Sequence, residues 1–289
     1  MIARVDTVRE AIARAEAVLA AAGVGSPRAD AEQLAAHVLG VPRGRLLLVD
    51  DWSPAQRDRF DQLVARRADR VPLQHLTGTA GFARIELAVG PGGFVPRPET
   101  ELLVQWAVAV TGGAEQMTVV DLCSGPGALA LAIAHELPAA RVYAVERSPA
   151  ALRWLRRNAA DRAAAGDRPI EVVAGDATDP AVLAELDGTV DLVVCNPPYV
   201  PAGNPVPPEV AEHDPPEAVF GGPDGLAVIR PVIDRAAALL RPGGRFGLEH
   251  DDSHGSAVPR LLAGRFEQIE DHRDLAGRPR YATAVRVAD

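Results

Sequence analysis

The pattern of apolar and polar positions divides the chain into a helical N-terminal region and a longer region of alternating strands and helices. Near the start, apolar side chains recur at helical spacing, and Ser26-Pro27 and Ser53-Pro54 are each a typical helix start. The helices predicted on this basis cover residues 5–22, 27–39 and 54–70. The first region is therefore predicted to be a small helical bundle.

Beyond residue 98, short apolar runs typical of strands alternate with helical patterns to the end of the chain. Strands are predicted at 118–122, 141–145, 170–174, 190–195, 244–249, 266–271 and 281–287, and helices at 99–110, 127–136, 149–164, 224–240 and 254–263. This alternation predicts an α/β fold with a doubly wound, mainly parallel sheet. Segment 272–280 is too short for a helical crossover, so the last two strands should pair antiparallel. The Pro- and Gly-rich stretch 200–225 is predicted to be a long loop.

These patterns predict two domains and a segment that connects them. Residues 1–78 form the helical domain, and residues 98–289 form the α/β domain. Between them, residues 79–97 alternate weakly and contain the turn Gly90-Pro91-Gly92-Gly93, which favours a short hairpin or an extended linker.

Composition narrows the functional classes. The net charge is −9 and the helical region is nearly neutral, so the chain lacks the basic footprint that binding to a phosphate backbone needs. All 30 basic residues are arginine, which excludes Schiff-base chemistry on lysine. The two cysteines lie in apolar contexts, and the first six residues lack the apolar core of a signal peptide. We therefore expect reduced thiols, no membrane span and a cytoplasmic protein.

One strand of this sheet is predicted to end abruptly at Asn196. The run before it is apolar, and Pro197 and Pro198 end it because proline cannot donate a ladder hydrogen bond. Asn196 is thus expected at the carboxyl end of a parallel strand, where open α/β sheets bind ligands. Tyr199 follows at the same edge.

Three earlier strands are expected to end at this edge in glycine-rich or acidic segments. The first precedes Cys123-Ser124-Gly125-Pro126-Gly127, whose glycines admit a ligand to backbone N–H groups or simply allow a tight turn. The second ends at Glu146, whose carboxylate suits two ribose hydroxyls. The third precedes Asp176, which suits an exocyclic amine or caps a helix over 178–186. Together these strand ends favour a nucleoside-type cofactor beside a polar reacting centre.

These segments resemble class I S-adenosylmethionine-dependent methyltransferases. With Phe94-Val95-Pro96-Arg97-Pro98-Glu99-Thr100-Glu101 upstream, they resemble the PrmC/HemK family, the glutamine N5-methyltransferases of peptide chain release factors. The resemblance covers nearly the whole chain, including Leu248-Glu249-His250 and Arg273-Asp274-Leu275. It implies a Rossmann-like, seven-stranded, mostly parallel sheet with an antiparallel last strand, S-adenosyl-L-methionine as cofactor, and the glutamine of a Gly-Gly-Gln motif as substrate. The bundle, the only large appendage, is expected to recognise the protein partner.

The same comparison suggests roles for individual residues, and no metal is expected. Residues with a catalytic role would be Asn196, Pro197 and Tyr199. The cofactor would be bound by Cys123, Ser124, Gly125, Pro126, Gly127, Glu146, Asp176, Ala177 and Asn196. The substrate would be bound by Asn196, Pro197, Pro198, Tyr199, Arg97 and Thr100.

Two positions depart from the family pattern. Cys123 replaces the usual first glycine, so its backbone cannot use angles open to glycine alone. Ala177 replaces a large residue that often packs against the adenine, so that wall must come from elsewhere or be absent.

An amide nitrogen is a poor nucleophile because its lone pair is delocalised into the carbonyl. The Asn196 side-chain oxygen and the Pro197 carbonyl are expected to accept its two N–H bonds, which would aim the lone pair at the sulfonium methyl. Tyr199 would stack on the flat amide, or else only pack.

Three alternatives stay open. Asn-Pro-Pro-Tyr also suits an adenine-N6 methyltransferase on DNA or RNA, which would stack a flipped base on Tyr199. A sister enzyme that methylates glutamine in a ribosomal protein is separated only by family resemblance. A cofactor-binding module without activity would lack any need for the motif.

Overall fold

The computed structural model of the protein describes residues 7–112 and 116–288, which fall into two compact units. One unit contains Met1–Thr79 and Pro207–His213, and the other contains Ala80–Val206 and Asp214–Asp289. The predicted start of the first helix at residues 5 and 6, and the predicted lack of a signal peptide, lie outside the described residues. Among the residues described, no helix is long and apolar enough to cross a membrane.

The first unit is a helical bundle. Its elements are α1 (Val8–Ala21), α2 (Pro27–Leu39), a 3-10 helix (Arg43–Leu48), α3 (Pro54–Ala68), α4 (Leu73–Thr77) and, from far along the chain, α8 (Pro208–His213). Capping boxes at Thr7 and Ser53 begin α1 and α3, because each hydroxyl accepts a backbone N–H three residues on. Ser26 precedes Pro27 as predicted, but its side chain makes no cap hydrogen bond.

Apolar faces of the three long helices meet in one core. Leu19, Leu34 and Leu63 are fully buried there. Phe60 packs against Trp52 with 4.9 Å between the ring centroids. The predicted bundle is therefore confirmed, while the 3-10 helix and α4 are additions that are too short for a periodic pattern to reveal.

The second unit begins with a two-stranded sheet of β1 (Thr79–Phe82) and β2 (Ile85–Ala88), so the hairpin alternative is the one that forms. A seven-stranded sheet follows, in the order β5-β4-β3-β6-β7-β9-β8. Its strands are β3 (Thr118–Leu122), β4 (Arg141–Glu146), β5 (Glu171–Ala174), β6 (Val190–Cys195), β7 (Leu240–Glu249), β8 (Phe266–Arg273) and β9 (Pro279–Arg286). β9 is antiparallel to both β7 and β8, as predicted.

Helices pack on both faces of this sheet. They are α5 (Glu101–Thr111), α6 (Ala128–Glu136), α7 (Pro149–Ala164), α10 (Ile229–Leu239) and α11 (Ala257–Leu262). Along β6, Leu192 and Val194 join the core that contains α5 and α6, and Val193 and Cys195 join the core that contains α10 and α11. Burial on both faces explains the continuous apolar run of β6.

Two predicted segments differ from the structure. Stretch 200–225 is not a plain loop: it contains α8 and α9 (Pro216–Val219), and Val200 bridges to Phe220. The helix predicted to start at residue 224 begins at Ile229, because Asp224 instead accepts the Leu226 N–H in a turn.

Candidate active site

The predicted strand ends meet at one edge of the sheet. β3 pairs in parallel with β4 and with β6, and β4 pairs in parallel with β5. Leu122 lies opposite both Val145 and Cys195, so the segments that follow β3, β4 and β6 leave the sheet side by side. The chain reverses its order between β3 and β6, and such a switch point leaves a crevice at the carboxyl ends of the strands.

The loop after β3 takes left-handed backbone angles at three positions. The φ angles are 62° at Cys123, 58° at Gly125 and 96° at Gly127. Cys123 therefore occupies a region that non-glycine residues enter at a cost of about 1–2 kcal/mol, which is how the chain accommodates the departure from glycine. A Cβ on Gly125 would meet no atom within 4 Å, so its backbone faces open space.

Glu146 ties this loop to the end of β4. Its Oε2 accepts the Gly125 N–H at 2.9 Å and its Oε1 accepts the Ser148 N–H at 2.6 Å. The residue is 9% exposed, so the carboxylate is almost removed from water. Each oxygen keeps a free lone pair for a further donor, such as a hydroxyl.

Asp121 lies beneath the same loop and was not predicted as a site residue. It is fully buried on β3, and its Oδ2 accepts the Ala130 N–H at 3.1 Å. Burial raises the pKa of Asp121 to about 7, and the charge of Glu146 adds to the rise, although the nearby Ser124 hydroxyl and Ala130 N–H oppose it. An acidic residue inside an apolar strand was the sequence signal that was overlooked.

Asp176 follows β5 and organises a turn. Its Oδ1 accepts the N–H and the hydroxyl of Thr178, and its Oδ2 lies 3.2 Å from Nη1 of Arg147. Burial raises the pKa of Asp176, but these hydrogen bonds outweigh it and lower the net value. The helix predicted over 178–186 is wrong, since only a 3-10 turn forms at Ala184–Leu186. Ala177 is buried and adds to the adjoining core.

Asn196 is held by Thr100. Its Nδ2 donates to the Thr100 hydroxyl at 3.1 Å, which joins two predicted segments that lie 96 residues apart in the chain. Thr100 is buried at the start of α5. Because the amide nitrogen is engaged, the Asn196 oxygen is left as the acceptor that faces away from Thr100. Pro197 and Pro198 are both buried.

Tyr199 is anchored through its hydroxyl rather than left free at the edge. The hydroxyl donates to Oε1 of Glu249 at 2.9 Å, and the ring packs against the core of the sheet. Burial raises the pKa of Glu249, although the hydroxyls of Thr100 and Tyr199 and the charge of Arg280 oppose the rise. Burial also raises the pKa of Tyr199. Glu249 ends the apolar strand β7, and an acidic residue at such a strand end was the feature of the sequence that could have identified it as a site residue.

Arg97 pairs with a residue that the sequence did not indicate. Its guanidinium forms an ion pair with the buried carboxylate of Asp214 and lies 4.9 Å from the centroid of the Phe94 ring. Of the predicted substrate-binding residues, Thr100 thus contacts Asn196, and Arg97 is held by Asp214. Asp214 lies in a Pro-rich segment without periodicity, so no local pattern pointed to it.

In a comparison with known proteins, a family profile matches each of the two regions of the chain. A family profile described as "PrmC N-terminal domain" matches residues 10–78, and one described as "Methyltransferase small domain" matches residues 98–212. The "Release factor glutamine methyltransferase" of Mycolicibacterium smegmatis is 55% identical over 97% of this chain and 98% of its own length.

One further relative and one solved structure have other substrates in their names. A "4-amino-L-phenylalanine/4-methylamino-L-phenylalanine methyltransferase" of Streptomyces pristinaespiralis is 42% identical over 91% of this chain and 89% of its own length. The 16S rRNA N2 G1207 methyltransferase of T. thermophilus, solved with AdoMet and guanosine, superposes with a TM-score of 0.52. At 24% identity, over 72% of this chain and 49% of that one, it shows a shared fold.

Proposed function

The chain belongs to the family of release factor glutamine methyltransferases, and from this we propose that it methylates the side-chain amide nitrogen of a release factor glutamine. The methyl donor is S-adenosyl-L-methionine. The substrate residue is the glutamine of the Gly-Gly-Gln motif. The observation that carries the proposal is the hydrogen bond from Asn196 to Thr100, because it presents an oxygen acceptor at the sheet edge.

The Asn196 oxygen and the Pro197 carbonyl each accept one N–H of the substrate amide. Two fixed acceptors select a planar NH2 group, since a hydroxyl or a secondary amide offers only one hydrogen. They also favour a more pyramidal nitrogen, whose lone pair is then free to attack. A nitrogen that gains a methyl group in this way must release one of its two protons, which passes to water. The hydrogen bond to Thr100 orients the Asn196 acceptor before the substrate arrives, so this group needs little reorganisation in the transition state.

The cofactor bed consists of the ends of β3, β4 and β5. Glu146 receives the ribose hydroxyls, the Cys123–Gly127 loop offers backbone N–H groups and open space over Gly125, and Asp176 accepts from the adenine amine. The partly satisfied carboxylate of Glu146 supports this fit. When bound, S-adenosyl-L-methionine supplies a methyl group on a positively charged sulfur, which is a good leaving group.

Tyr199 and Arg97 complete the substrate side. The Tyr199 ring, fixed by Glu249, supplies a flat surface against the glutamine amide. Arg97, held by Asp214, keeps the Pro-Arg-Pro segment in place next to Thr100.

The partner is a protein, and the helical bundle of residues 1–78 recognises it. The bundle carries almost no net charge, so shape and apolar contact contribute more than electrostatic steering. Neither nucleic acid nor membrane is bound directly. Because release factors act in translation, the enzyme works in the cytoplasm.

The test is mass spectrometry of a purified release factor after incubation with this protein and S-adenosyl-L-methionine. We expect a mass gain of one methyl group on the glutamine of the Gly-Gly-Gln motif. A release factor with Asn in place of that glutamine is the matched control and should stay unmodified. Parallel reactions contain an adenine-bearing oligonucleotide, ribosomal protein and 4-amino-L-phenylalanine. Faster methylation of any of these than of the release factor overturns the proposal.

A further inference from the structure

Helix α8 carries two acidic side chains, and one of them, Glu209, binds a pair of arginines. Nη2 and Nε of Arg70 donate to its two carboxylate oxygens at 2.6 and 2.8 Å. Nη1 of Arg67 donates to Oε1 at 2.9 Å. Only 17% of the Glu209 side chain and 8% of the Arg67 side chain are exposed, so water screens this cluster weakly.

The receiving arginines are themselves held in place. Nε of Arg67 donates to the buried Asp30 at 2.8 Å. Arg70 has a φ angle of 64°, an unusual conformation for a non-glycine residue, and its Nη1 donates to the carbonyls of Ala22 and Gly23. Several elements of the bundle thus converge to form a site for one carboxylate.

Glu209 follows Tyr199 closely in the chain. Residues 200–206 belong to the unit that contains the sheet, residues 207–213 belong to the helical unit, and Asp214 returns to the first of these. Asp214 is buried there and pairs with Arg97. The segment from Val200 to Pro208 therefore runs between two held residues, Tyr199, which bonds to Glu249, and Glu209, which bonds to Arg70. Asp214 holds the chain again where it returns to the unit that contains the sheet.

We propose that Glu209 is a positioning residue, which ties the segment after Asn196–Tyr199 to the helical bundle and so restrains the motif that holds the substrate amide. The proposal rests on the proposed function for its substrate. Anchoring both ends of a loop removes conformations in which the Pro197 carbonyl points away from the amide. Burial raises the pKa of Glu209, but Arg70 and Arg67 bring it down to about 2, so the anchor is charged at any physiological pH.

The experiment compares Glu209→Gln, Arg70→Gln and the double variant in the full-length protein. For methylation of an intact release factor, we expect each single substitution to lower kcat about tenfold, with cofactor Kd unchanged. The loss in the double variant should be smaller than the product of the two single losses, because both substitutions remove the ion pair between Arg70 and Glu209. Glu209→Asp, which keeps the charge, should recover part of the loss. Glu212→Gln makes the same change at an exposed position of α8 and should behave as the wild type.

A second measurement needs no substrate and separates this proposal from the assignment of function. We expect amide hydrogen exchange over residues 197–206 to accelerate in Glu209→Gln and to stay at the wild-type rate in Glu212→Gln. Faster exchange together with a wild-type protein that fails to methylate release factors overturns the function and leaves the anchor in place. Unchanged exchange overturns the anchor, as do wild-type kcat in Glu209→Gln, losses that multiply in the double variant, or a parallel loss of cofactor binding.

Discussion

The hydroxyl of Tyr199 donates to Oε1 of the buried carboxylate of Glu249 at a distance of 2.9 Å. This bond fixes the last residue of the Asn-Pro-Pro-Tyr motif to the end of β7, so the motif is held from the neighbouring strand as well as from its own. Since burial raises the pKa of Glu249, the carboxylate depends on such donors to remain charged.

Tyr199→Phe should destabilise the fold more than Glu249→Gln does. Phenylalanine keeps the ring but removes one of the hydroxyl donors to the buried carboxylate, which costs about 1–3 kcal/mol. Glutamine keeps an oxygen acceptor at the same place and removes the buried charge, so its cost should be smaller. Urea unfolding of both variants at neutral pH measures the two free energies of unfolding, and the reverse order would contradict this account.

Asn196→Ala should remove methyl transfer while the protein stays folded. The side-chain oxygen that accepts the substrate N–H is lost, and removing one such fixed acceptor lowers kcat by about a hundredfold or more. Cofactor affinity should be nearly unchanged, because the substitution leaves Gly125 and Glu146, which are proposed to bind the cofactor, in place. Calorimetric titration with S-adenosyl-L-methionine and a steady-state methylation assay give the two values. Near-normal turnover would rule out the proposed role.

Thr100→Val tests whether the orientation of the Asn196 amide matters. Valine has nearly the same shape as threonine but cannot accept the Asn196 N–H, so the amide is free to turn its nitrogen toward the substrate. We expect kcat to fall about tenfold with little change in cofactor Kd. Thr100→Ser keeps the hydroxyl and is the matched control. Equal activity of the valine and serine variants would show that the orientation is set elsewhere.

The central strands β3, β4 and β6 were predictable because they are buried on both faces. Such strands are near-continuous apolar runs, and the residues that stop them, such as Asn196 and Glu146, then stand out. The helices inside stretch 200–225 could not be predicted, because α8 and α9 have only six and four residues in a Pro-rich segment. Such short helices depend on tertiary contacts, such as that of Glu209 with Arg70.

The same difference applies to the site. The strand ends that form the candidate site have local signals, namely glycines, acids and prolines that follow apolar runs. The groups that hold these strand ends in place have no such local signals. Asp214 meets Arg97 across 117 residues of chain, and Tyr199 meets Glu249 across 50. Such pairs arise only when the fold brings distant segments together, and no spacing in the sequence indicates them.

The two glycines of the loop after β3 should respond differently to alanine. A Cβ on Gly127 would lie 2.6 Å from Cδ1 of Leu155 and 3.0 Å from Cδ1 of Leu131, whereas one on Gly125 meets nothing within 4 Å. We expect Gly127→Ala to cost about 2–4 kcal/mol of stability and Gly125→Ala only about 1 kcal/mol.

Gly125→Ala should weaken cofactor binding although it changes stability little. The added methyl group there occupies the open space over the loop, so cofactor Kd should rise about tenfold in a protein that is almost as stable as the wild type. Thermal unfolding of both variants measures their stability, and calorimetric titration with S-adenosyl-L-methionine measures the cofactor Kd. Wild-type affinity in Gly125→Ala would place the cofactor away from this loop.

Asp121 should make the stability of the protein depend on pH. Its pKa is about 7 in the folded state against an ordinary value of 3.8, so between these pH values the folded state keeps a proton that the unfolded state has released. Stability should therefore fall as the pH rises from about 4 to about 7, by up to about 4 kcal/mol, and then level off. Below this window both states are protonated, and the residue adds no pH dependence to the stability.

Asp121→Asn isolates this contribution from that of the other titrating groups. The asparagine oxygen can still accept the Ala130 N–H, and the side chain carries no charge to bury. The variant should gain stability relative to the wild type as the pH rises, which urea unfolding at about pH 5 and about pH 8 would measure. If the difference in the free energy of unfolding between the two proteins stays constant over this range, Asp121 is already ionised in the folded state, and the strand end carries a buried charge instead of a proton.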